Sequence, residues 1–290
     1  MLEFAARQAV RLAVGLVGAV LVAALISAIA EPHAHGLSPY LTAAARRLLS
    51  FARLDFGRSA ITGLPAFGEI ARRAPSTLLT VAAGGCVALA VGLPLGLLFS
   101  IEAIRRAASP LMQIVTALPV FCAGLALAYG AFRLLHWPVS VNTPVNGPLA
   151  PDQAFRFAAL PVLTVGLAGA AAVQLALRRA ASQSSGESFR VGLRRLGLGA
   201  FEIERAYVVP QVIAGLVSSA GEIVLALLSA TVVAEWVFHL PGAADLFVKS
   251  VALNDWNMTA IVLFLFAALA FVADFFGRVA GFVLANEASG

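Results

Sequence analysis

Thr77–Phe99 reads TLLTVAAGGCVALAVGLPLGLLF and contains no charged residue. A helix needs about 20 mostly apolar residues to cross the hydrocarbon of a bilayer. This stretch meets that length, and only Pro94 disturbs it. A spanning helix accepts such a proline, because neighbouring helices satisfy the freed carbonyl. The same pattern recurs on both sides of it. Leu12–Ala30, Leu111–Leu134, Ala158–Leu177, Val212–Val233 and Thr259–Leu284 also qualify. Pro119 lies within Leu111–Leu134, and Asp274 and Arg278 interrupt the end of the last segment.

Composition gives the reason for the pattern. Of the 290 residues, 60% are hydrophobic and 12% charged, and the mean hydropathy is +0.91. A soluble domain carries about 25% charged and about 45–50% apolar residues. One soluble core cannot hide the excess here, whereas a bilayer accepts it. The expected fold is all-α: a polytopic membrane protein of about six transmembrane helices, forming one domain over residues 1–290. The first segment has a second reading. Arg7, Arg11, the apolar run and Ala28-Ile29-Ala30 imitate a cleavable signal peptide. The run of about 19 residues exceeds the usual 7–15 of a signal core and favours a retained span.

The net charge of +5 is carried by arginine, since Lys249 is the only lysine. In a soluble chain this balance suggests nucleic acid. Here the arginines sit between apolar runs, where topology and membrane lipid explain them, and no nucleic-acid partner is expected. With the N-terminus in the cytoplasm, the inner side holds Arg7, Arg11, Arg105, Arg106, Arg178, Arg179, Arg190, Arg194, Arg195 and Arg205. The outer side then holds Arg133, Arg156, Lys249 and six arginines of the long loop Glu31–Pro75. Long loops cross with less regard to charge, so both termini are expected inside. His136–Phe157 and Ala234–Asn257 are the other outer loops. In the first, Pro65 is placed to start a short helix at Leu64–Arg73. Leu64, Phe67 and Ile70 would share its apolar face at the interface.

The inner loop 178–207 is polar at its start and then reads SFRVGLRRLGL from Ser188 to Leu198. Phe189, Leu193 and Leu196 recur at helical spacing, with Arg190, Arg194 and Arg195 mostly elsewhere on the wheel. That predicts a short amphipathic helix ended by Gly197 in the left-handed conformation. Helical character resumes over Phe201–Tyr207. Two readings stand. Such a helix can insert into a groove of a cytoplasmic partner, or rest on anionic lipid.

Three stretches bring a resemblance into view. Gly197 is followed thirteen positions later by Pro210, with Val209 before it. This resembles the loop motif of binding-protein-dependent import permeases, Glu-Ala-Ala, three residues, Gly, nine residues, Ile, one residue, Leu-Pro. The Glu-Ala-Ala positions here are Val191-Gly192-Leu193. Leu54-Asp55-Phe56-Gly57-Arg58-Ser59, leading to Pro75-Ser76-Thr77-Leu78, is similar to a Leu-Asp-Leu-Gly-x-Ser segment and the opening of a second span. Val232–Leu246, VVAEWVFHLPGAADL, resembles Val-Val-x-Glu-x-Val-Phe-x-x-Pro-Gly-x-Gly-x-Leu. Asn254-Asp255-Trp256-Asn257 stands where an Asp-Tyr-Pro-like turn would be. Together these resemble the first of the two permease subunits of the oligopeptide/dipeptide/nickel family of ATP-driven importers, over roughly Arg53 to Asp274.

The resemblance implies a permease forming half of a pathway for a peptide-like or nickel-chelate substrate. It implies a second homologous permease subunit, two ATPase subunits and a soluble substrate-binding protein, in the inner (plasma) membrane of a bacterium. Coupling to the ATPase would fall to Phe189, Arg190, Leu193, Arg194, Gly197, Leu198, Glu202 and Pro210. The translocation path or outer gate would include Glu222, Glu235, Trp236, Phe238, Pro241 and Gly242.

The chain itself lacks Gly-x-x-x-x-Gly-Lys-Ser/Thr, whose lysine must reach the β- and γ-phosphates. ATP hydrolysis by that route would need another polypeptide, so the chain is not expected to be an enzyme. His33 and His35 near Glu31 could bind a metal or be a solvated loop pair; a closed site needs more ligands, so no metal or cofactor is expected. Glu222 is read toward the middle of the fifth span, where an acid faces a pore or bonds a neighbouring helix. Asp274 and Arg278, four apart, suit an interfacial pair. Glu235–Asp245, with the turn pair Pro241-Gly242 and then a short helix expected over Ala243–Val251, reads as an apolar hairpin-like element dipping toward a pore mouth, or as an outer loop anchored by its aromatics. Within it Glu235 must be hydrogen-bonded or paired. An ion-coupled secondary transporter is the rival function; it needs inward-facing ionisable groups and usually inverted repeats. Only Glu222 is a clear intramembrane acid, and no repeat is evident.

Overall fold

A computed structural model describes residues 2–29, 37–53, 55–98, 120–137, 151–184, 192, 194–197 and 199–287. Among the described residues the chain is helical, with one isolated bridge between Arg58 and Pro65. The helices are α1 (Leu2–Ala28), α2 (Leu37–Ala52), α3 (Ala66–Leu98), α4 (Val120–Gly130), α5 (Pro151–Ser184), α6 (Ala200–Ile203), α7 (Val209–Ser218), α8 (Ala220–Phe238), α9 (Ala243–Ala252) and α10 (Trp256–Glu287). A wide π turn, Ala131–Leu135, extends α4, and another, Glu204–Val208, joins α6 to α7.

Among the described residues five helices are long and apolar enough to cross a membrane: Glu3–Ala28, Ala66–Gly96, Phe157–Ala181, Ala220–Phe238 and Trp256–Glu287. A shorter apolar helix, Cys122–Leu134, coincides with the end of the expected third span, whose residues 111–119 lie outside the described set. Helix packing shows that the chain changes direction between α3 and α5. Gly84 packs on Val165, Gly92 on Val173 and Gly96 on Leu177, so α3 and α5 run parallel. Two spans can run parallel only if the chain returns between them. A Cβ on Gly84 would stand 2.6 Å from Val165 Cγ1. In lipid, such close backbone approach replaces the hydrophobic drive that packs helices in water.

The outermost spans pair the other way. Phe4 stacks on Phe282 at 4.2 Å between ring centres, and Gly15 faces Phe271. Thus α1 and α10 are antiparallel, and the start of α1 and the end of α10 lie at one end of the bundle. Among the described residues two larger apolar cores result, beside a small one of Ala28, Ala43 and Ala44 between α1 and α2. Ala23, Ala24, Phe51, Ile70, Leu246, Met258 and Ile261 unite α1, α2, α3, α9 and α10. Ala88, Ala128, Leu160, Val173, Leu227 and Phe238 unite α3, α4, α5 and α8.

Three features depart from the sequence reading. The expected interfacial helix at Leu64–Arg73 is not separate: it is the first turns of α3, which runs through Pro75 and Pro94. Ile70 is buried there, whereas Leu64 and Phe67 are half exposed. The reason is packing, because Ile70 joins the first core and draws the chain straight into the span. The first loop also contains α2, held to α1 by the Tyr40 hydroxyl on the Leu25 carbonyl at 2.5 Å. The expected fifth span is two helices. α7 ends at Ser219, whose N–H returns to the Leu216 carbonyl at 3.0 Å, and α8 begins after it.

Candidate functional site

The end of α8 is built around one buried acid. Glu235 is fully buried. One carboxylate oxygen accepts the Thr77 hydroxyl of α3 at 2.6 Å, and the other accepts the Asp245 N–H at 2.8 Å. Thr77 Oγ1 in turn accepts the Ala243 N–H at 2.7 Å. The first N–H groups of α9 have no partner within their own helix. The carboxylate and the hydroxyl supply those partners, and negative charge at a helix N-terminus is favoured by the peptide dipoles. The loop geometry brings them there. His239 takes a left-handed conformation (φ 54), and the Leu240 N–H returns to the Glu235 carbonyl at 2.9 Å. Gly242 then passes so close to the Glu235 carboxylate that a Cβ would overlap it. Glu, Pro and Gly in this stretch therefore form one structure: an acid, a turn and the space that admits the acid.

Trp236, on the same helix end, is 54% exposed, whereas Phe238 is 2% exposed and belongs to the second core. Of the expected gate residues, the fold thus brings Glu235 and Gly242 together, and buries Phe238 separately in the second core. Trp236 and Pro241 stay at the surface. Glu222 lies elsewhere. It is in the first turn of α8, beside the break at Ser219, and pairs with Arg179 of α5 at 2.5 Å, both side chains being more than half exposed. The mid-span placement expected for Glu222 is corrected by that break, which no residue type in the run announces. Asp274 and Arg278 form the expected i,i+4 pair at 2.7 Å, on the part of α10 that touches Gly221.

A second clamp was not legible as a site. Asp255 is 1% exposed and caps α10, accepting the Met258 N–H at 3.1 Å. Its other oxygen accepts the Ser59 hydroxyl at 2.5 Å and the Ala60 N–H at 3.0 Å. Asn257 donates to the Phe56 and Arg58 carbonyls, and its own carbonyl accepts the Ser27 hydroxyl at 3.2 Å. The turn at Asp55–Ser59, nearly 200 residues away in the chain, is thereby fixed to the start of the last span. An aspartate just before an apolar helix is a readable cap. Its pairing with Ser59 is not readable, because nothing local encodes it. The same holds for Thr77 and Glu235, 158 positions apart.

At the opposite end of the bundle, Gly197 has φ +86, as a left-handed helix stop requires. Its N–H donates to the Arg194 carbonyl at 3.0 Å. Leu196 and Phe201 beside it are 80% and 78% exposed, and Arg194 and Glu202 are exposed as well. Pro210 opens α7, where its missing N–H costs nothing. Phe189, Arg190, Leu193 and Leu198 lie outside the described residues, as do His33 and His35.

Comparison with known proteins supplies the relationship that this geometry alone lacks. Residues 88–281 match the family described as binding-protein-dependent transport system inner membrane component. A putative peptide permease protein of Brucella ovis is 26% identical over 197 residues, covering 65% of this chain and 60% of the relative. The oligopeptide transport system permease protein AmiC of Streptococcus pneumoniae is 24% identical over 207 residues, covering 70% of this chain and 40% of the relative. The matches thus span little more than half, or less, of those relatives' length. A crystal structure of an amino acid ABC transporter with histidines superposes with a TM-score of 0.51 at 16% identity, over 82% of this chain and 97% of that one. This last likeness is one of fold. With two thirds of its length inside the family match and five helices fit to cross a bilayer, the chain is a multi-pass membrane protein that belongs to the family of binding-protein-dependent transport system inner membrane components.

Proposed function

We propose that this chain is the permease subunit of an ATP-driven importer and supplies half of its translocation pathway. The substrate would be peptide-like or a nickel chelate, delivered by a soluble binding protein. A second permease subunit, homologous to this chain, completes the pathway, and two ATPase subunits dock at the end that carries Gly197. Both termini then face the cytoplasm of a bacterial cell, and residues 1–290 act as one domain.

One observation carries this reading: the exposed apolar pair Leu196 and Phe201, flanking the Gly197 turn directly before α7. Exposed large apolar side chains rimmed by polar ones mark a protein contact. A push there reaches α7 and α8, which pack on α10 through Gly277 and Gly281. Rigid helices hinged at Ser219 can then shift between two packings. The chain does no covalent chemistry in this scheme; ATP hydrolysis belongs to the partners. The experiment is purification of the tagged chain from its native membrane, followed by reconstitution. An ATPase polypeptide should copurify, and uptake of the bound substrate should require ATP. Isolation without any ATPase, together with uptake that survives ATP depletion, would refute the reading.

A further inference from the structure

A groove of about 530 Å³ opens between α1, α7 and α10 at the end of the bundle where α1 begins and α10 ends. Arg7, Gln8 and Arg11 of α1, Gln211 and Ser218 of α7 and Arg278 of α10 supply its polar lining, and among the described residues no acidic one lines it. The α1–α10 register sets the three arginines at one level. Phe4 meets Phe282 and Gly15 meets Phe271, so Gln8 and its neighbours face the height of Arg278. Three acids stand near. Asp274 holds the Arg278 Nε at 2.7 Å, Glu222, itself paired with Arg179, also acts on Arg278 through its charge, and Glu3, one turn before Arg7, offers Arg7 only a carbonyl at 3.4 Å. Two carboxylates against the guanidiniums of Arg7, Arg11, Arg278 and Arg179 leave the groove positive.

Its position fits a membrane boundary. Arg11 stands immediately before the apolar run of α1. The rest of that helix, through Ala28, rises about 26 Å at 1.5 Å per residue. That approaches the roughly 30 Å of bilayer hydrocarbon, which places the groove at headgroup level. On the same helical face as Arg7 and Arg11 come Val14, Gly18, Leu21 and Leu25. Val14 is 67% exposed, Leu21 and Leu25 are also exposed, and nothing lies within 4 Å of a Cβ built on Gly18. A basic groove thus continues into an open apolar strip.

We infer that this groove binds the phosphate headgroup of an anionic phospholipid, with an acyl chain laid along Val14, Gly18 and Leu25. Arginine forks match phosphate oxygens in pairs, and the glutamine amides and the Ser218 hydroxyl suit the glycerol and headgroup oxygens. The inference rests on the chain's place in a membrane and not on the importer reading.

The test uses the full chain with its copurifying subunits, carrying Gly18→Cys in a background of Cys86→Ala and Cys122→Ala. The cysteine bears a bimane fluorophore, and the protein sits in vesicles of phosphatidylglycerol and phosphatidylcholine, identical in both leaflets. Bromine is placed on one lipid or the other. Brominated phosphatidylglycerol should quench in preference to brominated phosphatidylcholine, each arginine contributing about five-fold to the local preference. Arg7→Gln with Arg11→Gln should reduce that preference by an order of magnitude or more while leaving total quenching intact. Equal quenching by the two lipids, or a preference that survives the double substitution, overturns the inference. Absence of quenching from both lipids means that a protein subunit covers the strip, and also overturns it. A melting temperature raised by inorganic phosphate in phosphatidylcholine vesicles, in an arginine-dependent way, would assign the groove to a free anion instead.

Discussion

The Glu235 carboxylate occupies the space in which a Cβ on Gly242 would stand, seven residues farther along the chain. The same carboxylate accepts the Thr77 hydroxyl and the Asp245 N–H, so α3, α8 and α9 meet at one buried charge. Burying a carboxylate costs much unless its oxygens are satisfied. Here the satisfaction depends on a residue with no side chain.

Gly242→Ala should therefore destabilise the protein by about 1–3 kcal/mol, the range for overpacking a tight interior. Glu235→Gln keeps the volume but turns an amide NH₂ toward one of the two donors, and should cost about 1.5–3 kcal/mol. Combined, the two changes should cost less than their sum, because both act on one contact. Thermal unfolding in a single detergent measures all three. Additive losses would show that the residues act separately.

Ser59 and Asp255 should be coupled. Ser59→Ala and Asp255→Ala each remove a partner in a buried pair, and a double-mutant cycle should return a coupling of about 0.5–3 kcal/mol. Asp255→Ala should be the costlier single change, since it also uncaps α10 at Met258 and releases the Ala60 N–H. A zero coupling term would mean that the 2.5 Å contact contributes nothing to stability.

Gly197→Val should impair transport while membrane insertion stays normal. The position has open space around it, so the constraint is its φ of +86 and not crowding. A β-branched residue resists that conformation, whereas asparagine tolerates it. Gly197→Asn should thus retain most of the uptake that Gly197→Val loses. Equal activity of the two variants would remove the role assigned to this turn.

Trp236→Ala should leave stability nearly unchanged, within about 0.5 kcal/mol, as expected for an exposed side chain. Under the proposed function it should lower substrate-stimulated ATP hydrolysis by the assembled complex several-fold while basal hydrolysis stays close to normal. Stimulation equal to that of the parent would make Trp236 a headgroup anchor only.

The orientation can be read by labelling. Ser59 and Ser250 belong to the loops read as external but are 6% and 3% exposed, so they are poor targets. Ile61 and Leu253, at 52% and 61%, are accessible. With both native cysteines replaced, cysteines at these two sites should react with an impermeant thiol reagent applied to intact cells. Reaction only after the inner face is opened would invert the topology.

Apolar runs and single-residue backbone demands were legible because each is encoded within one segment. A stretch such as Thr77–Phe99 needs no partner to state that it belongs in a bilayer. Gly197 announced its own left-handed turn, and Glu235, an acid beside apolar aromatics, announced that it must be bonded. What the residues could not state was with whom. Thr77 meeting Glu235, Asp255 meeting Ser59 and Arg179 meeting Glu222 join residues that are 43 to 196 positions apart, chosen by how the helices pack. The break at Ser219 and the merging of the interfacial turns into α3 are likewise consequences of packing against α10 and the first core. Periodicity along one helix determines which face is apolar; only the assembled bundle determines which neighbour that face finds, because that choice is made by close fit between backbones and not by any property of the segment alone.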